Sequence, residues 1–291
     1  MRPKVAFYAF FPAGGIGRYT DELLTEIVTQ DEMDVELLCS PDFHWRDSAT
    51  YPVWPGLMSI SHRIPTLRRA RFLLAQFVNP LRAIRRARDT GADAIHFCNV
   101  NHLSFPFWRG AIKRSGLRVG ISAHDVRRQK SILNRSWEDH YLKEVYRAAD
   151  VLFVHSQSQA TELQEFSGVA AHRIHIVPIG PFAYGAPSDQ RSVLRTRYGM
   201  PRDALVALFF GQIRDEKGLE AFLDAMAEDT SGFHLLVAGQ PGAGHKGADF
   251  YQEKVRDLEL DNRVSFLFGH VPDHSVGDLF ELADWVALPY S

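Results

Sequence analysis

The 291-residue chain reads as an α/β protein of two doubly wound parallel sheets, and three observations predict this. Short apolar runs alternate with amphipathic helical stretches from end to end. Most of the runs are continuously apolar rather than alternating, as strands buried on both faces of a parallel sheet must be. The length is too great for one ordinary α/β unit and suits two domains.

In order, the predicted strands are VAFYAFF (5–11), VELLC (35–39), AIHFC (94–98), RVGISA (118–123), VLFVH (151–155) and IHIVPI (174–179). VALFF (206–210), HLLVA (234–238), VSFLF (264–268) and WVALP (285–289) follow. Helical patterns fill 16–30, 136–149, 156–167, 217–228 and 248–258. The N-terminal MRPKVAFYAFF resembles a short signal peptide. A Gly-rich turn and an amphipathic helix follow it at once without a small-residue cleavage pattern, so it reads as a first buried strand. Gly180, Pro181, Gly185 and Pro187 punctuate the boundary, and a polar helix over 188–198 precedes Pro201. The division is therefore an N-terminal Rossmann-like domain (1–180), a linker (181–203) and a second domain (204–291). That second domain supplies only four strands. WVALP is followed by Tyr290 and Ser291 alone, and a buried parallel strand needs a crossover helix and a neighbour, so the second domain reads as cut short.

Charge separates the halves. Residues 1–180 carry 23 Lys+Arg against 18 Asp+Glu, net +5, and residues 181–291 carry 10 against 17, net −7. Two domains with different tasks fit this asymmetry. Cys39 and Cys98 both end apolar runs and read as buried free thiols, which favours a reducing compartment. No apolar stretch is long enough to span a membrane. Residues 63–88 hold eight arginines interleaved with Leu67, Phe72, Leu73, Leu74, Phe77, Leu81 and Ile84, with Pro80 expected to break the stretch into two helices. Such a surface can lie on anionic lipid at roughly 1 kcal/mol per basic residue, or can be a solvated face balancing the acidic half. No nucleic-acid motif accompanies it.

Two segments carry candidate chemistry. The turn Phe11-Pro12-Ala13-Gly14-Gly15-Ile16-Gly17 lies between the first strand and first helix, where glycines and free N–H groups favour an anion. A dinucleotide fingerprint fails there: counting from Gly15 and Gly17, the third position is Thr20, and the second strand ends Leu38-Cys39-Ser40 without an acidic residue. In Phe209-Phe210-Gly211-Gln212-Ile213-Arg214-Asp215-Glu216-Lys217-Gly218 a strand ends at Gly211 and a helix opens near Lys217. Two cations thus reach the carboxyl edge of a parallel strand, where they can hold phosphate oxygens, Arg bidentately and Lys as a point charge. Taken by itself the segment also fits cations paired with Asp215 and Glu216 on a solvated turn. There is no D-x-D and no His/Cys cluster of zinc spacing, so no metal is expected. No nucleophile with a partnered base stands out.

Together these segments resemble retaining glycosyltransferases of family 4, the GT-B fold. GGIGRYTDELL is similar to that family's opening loop and helix, and FFGQIRDEKGLEAFLDAM to its phosphate-gripping segment. GISAHDV, VHSQSQATEL, RIHIVPIG, HLLVAGQPG and VSFLFGHVPDHSVGDLFELADWVALPYS resemble its further segments in the family's order, over nearly the whole chain. The resemblance implies an acceptor-side first domain and a donor-side second one. Arg214 and Lys217 would hold the diphosphate, helped by backbone at Gly15, Gly17 and Gly211. His124 would sit at the reacting end of the sugar, and Phe268, Gly269 and His270 would line the nucleobase pocket. The substrate would be a nucleotide-diphosphate sugar such as a UDP- or GDP-sugar, with no cofactor, and the acceptor a glycan or lipid-linked hydroxyl in polysaccharide assembly. The setting would be cytoplasmic, with the inner membrane face as a place of contact. The family's later acidic motif lies beyond Ser291. A non-catalytic fragment and a sugar-nucleotide epimerase of the same fold are the alternatives.

Overall fold

The computed structural model describes residues 2–127, 134–182, 184–242 and 245–290, which form two compact units, Met1–Pro181 and Phe182–Ser291.

The first unit holds β1 (Lys4–Tyr8), α1 (Gly14–Gln30), β2 (Asp34–Leu38), β3 (Val53–Trp54) and α2 (Pro65–Asp89). β4 (Ala94–Phe97), α3 (Phe105–Ser115), β5 (Arg118–Ser122), α4 (Arg135–Ala148), β6 (Val151–Val154), α5 (Gln157–Ser167) and β7 (Ile174–Ile176) complete it. The strands run in the order β3-β2-β1-β4-β5-β6-β7, with every pairing parallel. Alternation along β1 explains why its sequence is apolar throughout. Ala6 and Tyr8 enter a core with Phe97, Trp108, Ile121 and Tyr146, while Phe7 and Ala9 enter another with Leu24, Leu37 and Cys39. Each fully buried side chain of this kind contributes roughly 1.5–3 kcal/mol.

The basic stretch is one helix, not two. Pro80 sits buried inside α2 and cannot donate a hydrogen bond to the carbonyl of Gln76 one turn back. Ser104 Oγ–H, brought in beside α3, donates to that carbonyl at 2.5 Å instead. A borrowed hydroxyl therefore satisfies the group whose orphaning would have broken the helix.

The second unit contains α6 (Arg191–Arg197), β8 (Val206–Phe210), α7 (Leu219–Glu228), β9 (His234–Gly239), α8 (Ala248–Asp257), β10 (Val264–Phe268), α9 (Asp273–Leu282) and β11 (Trp285–Val286). Its parallel sheet runs β10-β9-β8-β11. Ala207 and Phe209 point into a core with Leu219, Leu223 and Tyr251, and Val206 and Leu208 into one with Leu194, Leu279 and Leu282. Within residues 181–203, α6 is bound into this unit. Asp284 accepts from Arg191 Nη1 (2.7 Å), Arg195 Nη2 (2.6 Å) and the backbone N–H of Val206 (2.7 Å). The last expected strand, 285–289, is ordered as a strand only at Trp285 and Val286.

Candidate functional site

In the second unit the candidate residues gather at the carboxyl edge of the sheet, the edge at which open α/β folds bind ligands. Strand β9 ends in Gly239, and its neighbours β8 and β10 are followed at once by Gly211 and Gly269; all three have positive φ (+150°, +102° and +127°). A Cβ on Gly239 would stand 1.9 Å from the carbonyl oxygen of Gly211, so the two strand ends meet closer than any side chain permits. Gly211 N donates to Ala238 O (2.9 Å) and Gly269 N to Gly239 O (3.2 Å). Gly211 and Gly269 were legible candidates. Gly239 was not, because a glycine ending an apolar run looks like any strand terminus until its neighbour's backbone is in view.

From this edge the chain turns through Ile213, bridged to Pro241, into a 3-10 turn at Asp215–Lys217 and then α7. The helix therefore opens at Leu219, two residues after Lys217, with Gly218 as its N-cap. Arg214 and Lys217 behave differently. Arg214 Nε lies 3.2 Å from Glu216 Oε1. Lys217 Nζ donates to Phe210 O at 3.3 Å and sits beside the Phe209 and Tyr290 rings. Among the described residues no carboxylate comes within ion-pair distance of it. Burial, then the Arg214 charge, pull the Lys217 pKa below the usual lysine value, with Glu216 opposing. Two cations are thus held near each other, one of them half-buried without a carboxylate, which is an arrangement an anion would relieve. His245, which sequence reasoning passed over, accepts from Asp215 N–H at 3.3 Å through Nδ1 and braces this turn. At the end of β10, Phe268 stacks on Phe266 (4.6 Å between centroids, 15° between planes), and His270 is exposed.

In the first unit α1 begins at Gly14, with Ala13 as N-cap and neither a side-chain cap nor an acidic residue in its first turn. Its first N–H groups are therefore available to an anion. Gly15 is exposed with open space around it. Gly17 is buried, and a Cβ there would meet Trp45 at 2.8 Å, so its smallness serves packing. His124 follows β5. Its Nε2 is 2.9 Å from Cys98 O, and its Nδ1 is 2.8 Å from Nε2 of His155, which follows β6. Tyr19 of α1 packs edge-on against both rings at 5.1 and 5.4 Å. Nearby His96 is fully buried, bonded to Ser122 Oγ at 2.9 Å, and pushed by burial and then by His124 down to about 4. The described residues contain no cluster of three or more His, Cys, Asp or Glu able to hold a metal. None of the described helices is long and apolar enough to cross a membrane.

Comparison with known proteins gives these features a context. The family model for Glycosyltransferase Family 4 matches residues 13–180, and that for Glycosyl transferases group 1 matches residues 190–291. A D-inositol 3-phosphate glycosyltransferase of Kineococcus radiotolerans is 31% identical over 156 residues, covering 50% of this chain and 36% of the relative. A mannosylfructose-phosphate synthase of Agrobacterium fabrum is 27% identical over 154 residues, covering 50% and 34%. The match thus spans about a third of each relative's own length. Among solved structures, Anabaena Alr3699/HepE in complex with UDP-glucose superposes with TM-score 0.71 at 17% identity, covering 97% of this chain and 72% of that one. Sucrose-phosphate synthase from Thermosynechococcus elongatus gives 0.72 at 17% identity, covering 99% and 76%. At that identity the likeness establishes the fold alone, and the fold is GT-B.

Proposed function

The chain belongs to glycosyltransferase family 4, and we propose that it moves a sugar from a nucleotide-diphosphate sugar to an acceptor hydroxyl with retention at the anomeric carbon. In that reaction the bond from the anomeric carbon to the phosphate oxygen breaks, the acceptor oxygen takes its place, and the acceptor gives up its proton. Charge accumulates on the departing diphosphate, and preorganised cations stabilise it as it grows. The observation that carries the reading is Lys217, half-buried beside Arg214 with no carboxylate within ion-pair distance among the described residues. In the second unit we assign Gly211, Phe268, Gly269 and His270 to the nucleotide side of that edge; in the first unit, considered by itself, Gly15 and Gly17 are assigned as helix-start backbone for an anion. His124, at the end of β5 in the first unit, is the residue assigned to the sugar. Both its ring nitrogens already hold protein partners, so its part is orientation rather than free proton exchange.

The donor is a nucleotide-diphosphate sugar, with UDP-sugars favoured by the UDP-glucose named for HepE. Lipid-linked or glycan acceptors fit the exposed side of α2. Leu67, Leu73, Leu74, Phe77 and Leu81 are all exposed there, Phe107 of α3 rests against Phe77 (4.9 Å), and arginines flank the stripe. Such a face suits the anionic inner leaflet and a cytoplasmic setting. The two relatives named for phosphorylated molecules make small phosphorylated acceptors the other class to assay.

A thermal melt with UDP, GDP and ADP tests the donor site. Ligand at about 100 times its dissociation constant adds roughly 2.7 kcal/mol. One nucleotide should raise the melting temperature, and Lys217→Ala should abolish the rise. A cooperative melt that no nucleotide moves sinks the donor assignment. For the membrane face, sedimentation with vesicles of anionic against zwitterionic lipid is the assay, and equal binding by a Leu73→Ser/Phe77→Ser variant refutes it.

A further inference from the structure

We propose that His124 and His155 share a proton, forming a two-ring monocation at neutral pH in which His155 is a positioning residue that fixes the ring of His124. The role in catalysis rests on the transferase reading above; the shared proton itself does not.

Proton counting carries the argument. Four ring nitrogens form one line of contacts. At one end His124 Nε2 faces Cys98 O (2.9 Å), and at the other His155 Nδ1 faces Val177 O (2.9 Å). A carbonyl oxygen only accepts, so both outer nitrogens must carry protons. The inner nitrogens, His124 Nδ1 and His155 Nε2, are 2.8 Å apart. Two neutral rings own only two protons, and both are already spent on the carbonyls. Two lone pairs would then face each other at bonding distance. A third proton turns that contact into an N–H···N hydrogen bond, and a fourth would set two N–H groups head to head. The geometry therefore suits three protons and one positive charge. The ring planes differ by 28° with centroids 4.8 Å apart, as expected for rings bonded edge to edge.

The surroundings hold this register. Gln159 of α5 donates to His124 O (2.9 Å), and its Oε1 accepts from His155 N–H (2.7 Å), tying the two backbones together. The titratable groups facing the pair are Tyr19 from α1, His96 and Cys98 from β4 and its end, and Asp125 beside His124. Burial raises the Tyr19 hydroxyl, lifts the Cys98 thiol to about 12 and holds His96 near 4, so these three are uncharged near neutrality. Asp125 supplies the negative charge. Burial, and then the charge of His155, press His124 down to about 4, so the added proton does not belong to the His124 ring. When pH rises until the shared proton leaves, one of the three contacts becomes lone pair against lone pair and opens, and His124 is released.

The test uses the full chain with 15N-labelled histidine, followed by long-range 1H–15N spectra from pH 5 to 9, in wild type, His155→Gln and His155→Ala, each checked for folding by melting. At pH 7.5 both ring nitrogens of His155 should be protonated and His124 should be a fixed Nε2–H tautomer. His155→Gln, whose amide still donates to His124 Nδ1, should preserve that tautomer, and His155→Ala should lose it. Two rings that are both neutral at pH 7.5 overturn the shared proton. In transfer assays His155→Ala should lower kcat by about tenfold to a hundredfold, the loss expected when a reacting-site group shifts by an ångström. Donor KM should hold, His155→Gln should restore the rate, and the alkaline limb seen in wild type should vanish in that variant. An intact pair with unchanged kcat in His155→Ala overturns the positioning role. An intact pair in a wild-type protein that transfers no sugar refutes the transferase reading instead.

Discussion

Alanine at Gly239 should destabilise the second unit far more than alanine at Gly269, although both glycines lie at the ends of neighbouring strands with positive φ. At Gly269 (φ +127°) an added Cβ meets nothing within 4 Å, so the cost is the dihedral alone, about 1–3 kcal/mol. At Gly239 (φ +150°) the same dihedral cost applies, and the Cβ also falls 1.9 Å from Gly211 O and 2.7 Å from Gly211 C. Those atoms are backbone and cannot swing aside, so the ends of β8 and β9 must part. The flanking bonds Gly211 N to Ala238 O and Ile213 N to Gln240 O, both 2.9 Å, are stretched as they do so. Overpacking of this kind adds about 1–3 kcal/mol, which brings Gly239→Ala to about 4 kcal/mol, a large share of the roughly 5–15 kcal/mol that holds a domain together. Urea denaturation of both variants, with nucleotide binding measured on whatever remains folded, separates the two terms. Equal losses would refute the close-approach argument and leave backbone dihedral as the whole effect.

Three further outcomes follow from the packing. Ser104→Ala leaves Gln76 O inside α2 without its donor and deprives Trp108 Nε1 of an acceptor at 3.2 Å; a loss of about 1–3 kcal/mol in urea denaturation is expected, and an unchanged midpoint would mean that Pro80 is tolerated for another reason. Asp284→Ala takes the carboxylate from Arg195, which is buried, and should cost about 3 kcal/mol by the same assay, whereas a loss below about 1 kcal/mol would show that the bonds of Arg195 to the carbonyls of Leu282, Arg202 and Ala204 hold α6 without it. His96 has a folded pKa near 4 against about 6.5 unfolded. The unfolded chain therefore binds the proton first, and stability that is full above about pH 6.5 falls by roughly 3 kcal/mol as pH drops toward 4. His96→Gln should flatten that acid slope, and a variant as acid-sensitive as wild type removes His96 as its source.

Much of the fold was legible because burial on both faces writes a continuous apolar run, and ten of those runs fall on strands of the two sheets. β3 was not legible: two residues, Val53 and Trp54, pair with the end of β2 and leave no periodicity to read. Pro80 misled because the compensating hydroxyl lies 24 positions away in sequence at Ser104, and local pattern contains nothing of it. At the candidate site Arg214 and Lys217 were legible as cations after a strand, but not as unlike ones, since ion pairing depends on which carboxylates the 3-10 turn swings toward each. Gly239 and His155 were passed over for a common reason. Each meets an atom just past the end of another strand: the Gly211 carbonyl for one and the His124 ring for the other.

Charge in the second unit turns that last point into an argument. Residues 181–291 hold 17 carboxylates and 10 Lys+Arg, so a cation there has every opportunity to find a partner. Of the three lysines, Lys246 pairs with Glu220 and Lys254 with Asp224 at 2.6 Å. Lys217 flanks Glu216 in sequence and is within ion-pair reach of neither it nor any other carboxylate among the described residues. Its ammonium is turned instead onto the carbonyl of Phe210, at the edge where Gly211, Gly239 and Gly269 keep the backbone bare. Half-burying a lysine next to an arginine costs stability whenever no anion is present. An acidic unit that could neutralise this cation internally, and leaves it at the strand edge without a carboxylate among the described residues, fits the donor site proposed above.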